Sequence, residues 1–137
     1  MRKSMSAAVG LALLATQAGA QDFTTADEVR PILEATKSNW VAVREYEGQD
    51  LLYFTHLLAW RCGLDRIHYA LNGGSERQFE AEPCYEGESQ PNAIKVEDKL
   101  PYLSFELGTI ETVTVRLVYD DGQEATGAYE RASIMTP

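Results

Sequence analysis

Short segments that alternate apolar and polar residues, turn residues recurring about every 8–12 positions, and one pair of cysteines predict a mainly β domain. The expected architecture is an antiparallel, immunoglobulin-like β-sandwich with one N-terminal helix. Because the helix precedes every strand, an α+β arrangement is the alternative, with a single curved sheet carrying the helix on one face.

The chain of 137 residues opens with Arg2-Lys3, an apolar run from Met5 to Ala15 and the small triplet Ala18-Gly19-Ala20. A basic tip, an apolar middle and an A-x-A end read as a secretory signal peptide over residues 1–20, cut before Gln21. The run is shorter than the ~20 apolar residues that span a bilayer, so a membrane anchor is not expected. Residues 21–137 then form one domain. Losing the leader removes Arg2 and Lys3 and no acid, so the net charge of −9 becomes −11. Such a field repels phosphate backbones and anionic lipid, which argues against nucleic-acid binding and membrane insertion.

Two cysteines in an oxidising compartment are most simply one bridge, Cys62 to Cys84, worth on the order of 3 kcal/mol in the chain-entropy model. A reactive thiol and a metal ligand are the rival readings, with no CxxC and no nearby His-Cys cluster behind them.

Within residues 21–40, Val29, Ile32, Leu33, Thr36 and Trp40 share one helical face. Thr25 and Glu28 match a capping box, but Pro31 favours a later start, with Asp27 or Glu28 as cap. Trp40–Tyr46 alternates as a strand, and Glu47-Gly48-Gln49-Asp50 is its turn. Leu51–Trp60 is expected as the next strand, with Leu52, Phe54, His56, Leu58 and Trp60 inward. A corner at Arg61-Cys62-Gly63 leads to a strand over Leu64–Leu71, with Ile67, Tyr69 and Leu71 inward and Arg66 and His68 outward. Asn72-Gly73-Gly74 tolerates positive φ and predicts a hairpin to Arg77–Glu82.

Pro83–Leu100 is an acidic, proline-bearing loop, with one short helical turn expected near Asn92–Val96. Tyr102–Leu107 and Thr112–Tyr119 are strands, the latter rich in β-branched residues. Asp120-Asp121-Gly122 is a hairpin turn, Glu124–Ala132 returns antiparallel, and Ser133–Pro137 is expected to fray.

Residues 67–74, IHYALNGG, resemble the strand–NGG–strand hairpin of bacterial immunoglobulin-like modules. More broadly, residues 39–74, EPCYEG (82–87), LPYLSFELG (100–108) and VRLVYDDG (115–122) resemble a family of small exported bacterial proteins of unknown function. The resemblance implies that the cysteines of WRCGL and PCYE belong to that family's scaffold. It implies no activity and no catalytic residues.

Catalytic motifs are sparse. There is no G-x-S-x-G, Asp120-Asp121-Gly122 lacks the rest of a calcium loop, and Asn72-Gly73-Gly74 lacks the lysine and helix of a phosphate loop. His56 reads as a core histidine and His68 as a surface one, and their spacing does not suggest a metal pair on one strand. Trp60 is expected to pack on the disulfide. Tyr85 and Tyr102 flank the acidic loop, and with Glu86 and Glu88 they are the expected partner-binding residues.

These readings lead to an exported, non-catalytic β-domain of the periplasm or beyond, a protein- or ligand-binding module of the cell envelope with no metal or cofactor. Two alternatives come from other classes. One is a small periplasmic hydrolase using His56 or His68 with a carboxylate. The other is an inhibitor of an envelope enzyme acting through the acidic 83–100 loop.

Overall fold

The computed structural model describes residues 22–137. The leader expected over residues 1–20 lies outside them.

Helix α1 spans Ala26–Ala35 and begins at Thr25, not at Asp27 or Glu28. Thr25 Oγ1 accepts from the Glu28 amide and donates to the Glu28 carboxylate, whose other oxygen accepts from Phe23 N. This reciprocal cap satisfies orphan donors at the helix start. Pro31 therefore falls inside the helix. It lies on the exposed side with Asp27, whose carbonyl has no amide hydrogen to accept from there. Val29 and Leu33 are fully buried, and the Trp40 indole N–H donates to Leu33 O at 2.9 Å after a 3-10 turn at Lys37–Asn39.

The strands form two antiparallel sheets. The first has the order β1-β2-β5, from Ala42–Tyr46, Gln49–Tyr53 and Tyr102–Glu106. The second has the order β4-β3-β6-β7, from Arg77–Phe79, Leu64–Leu71, Thr112–Tyr119 and Glu124–Glu130. The protein is thus mainly β with a few short helices. One core joins both sheets: Val43 and Leu52 meet Ile67, Tyr69, Val113, Val115 and Leu117, with Val29 and Leu33 of α1 in the same cluster. Phe54 stacks on Phe79 at 3.9 Å and meets Tyr69 edge-on.

Besides the helix start, further expectations need correction, beginning with the turn after β1, which is Glu47-Gly48 alone because Gln49 and Asp50 belong to β2. Leu51–Trp60 is not one strand: β2 ends at Tyr53 and α2 follows at Thr55–Leu58. Phe54, Leu57 and Leu58 stand at helical spacing and all are buried, whereas strict alternation would have turned Leu57 outward. The turn near Asn92–Val96 is not helical either; it is a single bend closed by Ala93 N to Gln90 O. Finally, the C-terminal residues do not fray. Arg131–Ile134 form α3, Ile134 is buried, and Met135 bridges Val43 in parallel while Thr136 N donates to Val43 O.

Asn72 and Gly73 both take positive φ, as expected for this turn, and Asn72 also ties it to the next strand. Its side chain accepts from the Glu111 and Thr112 amides and donates to Thr109 O.

Candidate functional site

The 83–100 loop is built on Arg61, which is 4% exposed. Its guanidinium donates to five main-chain carbonyls: Leu58, Glu82, Pro83, Asn92 and Ala93. Burial lowers its pKa, while Glu82 opposes that shift. Beside it, Cys62 is bonded to Cys84, and Cys62 N donates to the Asn92 side chain. The loop is thus held at both ends of its first half, by covalent bond and by guanidinium.

Glu82 lies under the loop, 6% exposed. Burial works to raise its pKa, but the Tyr85 hydroxyl, the Lys95 amide and Arg61 together outweigh it and hold the carboxyl below its ordinary value. The Lys95 amide donates to Glu82 Oε1 at 2.8 Å, and the Val96 amide adds to the same field. Val96, next to this carboxylate, stands at φ 54°, rare for a β-branched residue.

Of the expected partner-binding residues, Tyr85 is half-buried and committed inward. Its hydroxyl bonds Glu82, which pushes its pKa up to about 12, and its ring lies under Lys95 at 3.9 Å and near Arg61 at 5.5 Å. Glu86 is exposed, and Glu88 pairs with Lys95 at 3.1 Å. Tyr102 sits apart on β5, its ring 5.1 Å from that of Tyr53. No hydrogen bond or ring contact joins it to the other three. Trp60 meets Phe23 edge-on at 5.0 Å.

A different feature has the character of a site. A groove of about 680 Å³ runs between β1, α2 and the loop, lined by Trp40, Arg44, Tyr53, His56, Ala59 and Ile94 among others. No side chain lining it is acidic, in a chain with 21 carboxylate side chains, and Thr136 and Pro137, the last residue, close one end. Arg44 has no carboxylate within 4.0 Å among the described residues, and its guanidinium rests 4.7 Å above the Tyr46 ring.

His56 enters this groove from α2, not from the apolar face of a strand. Its Nε2 lies 2.8 Å from Thr36 Oγ1, and the Thr36 hydroxyl donates its own proton to Ile32 O at 2.7 Å. Nε2 must therefore carry the hydrogen, leaving Nδ1 as an acceptor. Burial depresses the pKa, so the ring is neutral near pH 7. His68 lies on the outer face of β3, largely covered, with Nδ1 3.6 Å from Glu76 Oε1. Glu76 is itself held by two bonds from Arg116.

Among the described residues no group of three or more His, Cys, Asp or Glu side chains could hold a metal ion, and no helix is long and apolar enough to cross a membrane. No protein-family model, no curated protein and no solved structure matches the chain.

The expected residues reach the groove only at its margin. Tyr102 touches it through Tyr53, and the loop contributes Ile94. Sequence reading missed Arg44 and Trp40 as wall residues and Arg61 as the loop's anchor. The one available signal for Arg44 was a basic residue inside an apolar strand of an acidic chain.

Proposed function

We propose that the chain is an exported, non-catalytic binding domain of the cell envelope, whose working surface is the groove between β1, α2 and the 83–100 loop. The observation that carries this reading is the groove's composition: an apolar, aromatic wall with a few polar groups converging on it, of the size small ligands occupy. Export is supported by the leader-like first 20 residues and by a disulfide that would not persist in a reducing cytosol. The likeness to small exported bacterial proteins belongs to the same proposal.

An immunoglobulin-like sandwich is the fold we attach to it. Its support is the pair of strand orders, β1-β2-β5 and β4-β3-β6-β7, in which the chain passes from one sheet to the other after β2, β4 and β5.

The two alternatives have less behind them. A hydrolase needs a histidine bonded to a carboxylate at a pocket mouth. His56 bonds a threonine hydroxyl, and the carboxylate nearest His68 is already taken by Arg116. An inhibitory loop needs to protrude, and this one is pulled down by three of its carbonyls, Pro83, Asn92 and Ala93, bonded to Arg61.

The test is a neutral apolar dye. Nile red should gain fluorescence on the wild-type protein and lose most of that gain with Ala42→Trp, which fills the groove from β1. An equal gain on both proteins would place the dye elsewhere and remove the groove as the binding surface.

A further inference from the structure

The one charged side chain in the groove has the sign opposite to the molecule's. Acidic side chains are spread from Asp22 onward, yet none lines this wall, while Arg44 stands in it with no carboxylate within 4.0 Å among the described residues. In a molecule of net charge −9, an unpaired guanidinium that has been partly desolvated and propped on the Tyr46 ring is a stored attraction for an anion. The rest of the wall asks for something apolar. Tyr53, Ala59 and Ile94 offer aromatic and aliphatic surface over a buried Trp40, and the rings of Tyr53 and Tyr102 continue it towards β5.

We propose that the groove binds a small amphipathic monocarboxylate, an apolar chain or ring bearing one carboxylate, with the anion on Arg44 and the body along Tyr53, Ala59 and Ile94. The proposal rests on the groove being the working surface.

His56 limits the ligand to one anionic end. Its N–H is spent on Thr36, so only the Nδ1 lone pair is left for a ligand. That lone pair repels a second carboxylate and accepts from a hydroxyl or amide N–H instead. A dicarboxylate is disfavoured for this reason, and an ammonium ligand is disfavoured by Arg44. A free small molecule is favoured over a peptide strand because the β1 edge is already used: Thr136 N donates to Val43 O, and Met135 bridges the same residue. A strand added along β1 would have to displace that segment first.

The experiment follows displacement of bound Nile red from the purified protein by decanoate, decanol and decylamine, with a free-carboxylate tripeptide as a fourth competitor. The expected order is decanoate ahead of decanol by about tenfold, as a charge-assisted bond to guanidinium predicts, with decylamine weakest. Arg44→Gln should bring decanoate down to the level of decanol, both read against that variant's own dye affinity, and Arg44→Lys should restore part of the preference. Equal competition by decanoate and decanol would overturn the anion assignment and leave the groove standing. A tripeptide that outcompetes decanoate would overturn it in favour of peptide termini. No dye binding to the wild-type protein would remove the underlying reading itself, and the carboxylate proposal with it.

Discussion

At the residue scale Arg61 decides more than any other side chain. A lone buried guanidinium is costly unless its fork is fully used, and here every nitrogen donates to main-chain carbonyls. The five acceptors come from α2, from the end of β4's extension and from the loop, so one side chain gathers three stretches of backbone. Arg61→Met should cost about 3 kcal/mol, because buried carbonyls lose their donor and Glu82 is left without its cation. Urea unfolding of the purified variant measures this, and a loss below about 1 kcal/mol would mean that water replaces the guanidinium at little cost. Nothing in the sequence disclosed this role. Its acceptors are carbonyls, which carry no residue-type signature, and four of them lie 21 to 32 positions away. The cysteines were legible for the opposite reason, since only one pairing of two sulfurs exists.

Element by element, legibility followed the uniqueness of the pattern. Thr112–Tyr119 alternates from Thr112 to Leu117 and is rich in β-branched residues, so β6 was readable to the residue. Leu51–Trp60 satisfies two periods at once, alternating at even positions and helical through Phe54, Leu57 and Leu58. Only the tertiary packing of Phe54 on Phe79 and Tyr69 selects the break after Tyr53. The seating of α1 was equally hidden, because it depends on an absent side chain. A Cβ on Gly63 would stand 2.3 Å from Val29 Cγ2 and 2.6 Å from Thr25 O. Helix α1 therefore lies directly on the corner that leads into β3. Gly63→Ala should destabilise the fold by about 1–3 kcal/mol, the usual cost of overpacking. Val29→Ala in the same chain should recover only part of this, since the Thr25 carbonyl is backbone and cannot swing aside. Thermal unfolding of the single and double variants separates the two contributions, and full recovery would show that the side-chain clash alone matters.

On the scale of the whole molecule, two sheets and three short helices are locked together by a polar clamp as well as by apolar burial. Asp50 of β2 is fully buried, and both of its oxygens accept from Arg131 at the start of α3. Arg131 also reaches Ile110 O and Glu45, and the Ile110 amide donates to Asp50. The clamp thus joins β1, β2, the β5–β6 connection and the C-terminal segment, whose order no local sequence pattern signals. Arg131 holds the Asp50 carboxyl well below the ordinary carboxylate range, against burial, with the Gly108 and Ile110 amides assisting. A carboxyl whose folded pKa is depressed binds fewer protons in the folded state than in the unfolded one. Its stabilisation is therefore complete above the ordinary pKa of about 4 and is lost as pH falls below it. Glu82 is shifted the same way, whereas burial raises Asp120, which acts in the opposite sense. Unfolding free energy should accordingly stay near its plateau from pH 7 to about 5 and decline below about 4. Asp50→Asn should lower the plateau by about 3 kcal/mol, at the low end for a broken buried pair because Arg131 keeps Glu45. The same variant should flatten the acid limb by about one proton's worth of slope without abolishing it, since Glu82 still titrates. Chemical unfolding at pH 7, 5, 4 and 3 reads both quantities, and an acid limb of unchanged slope in Asp50→Asn would show that the clamp stays closed or opens for reasons other than this carboxylate.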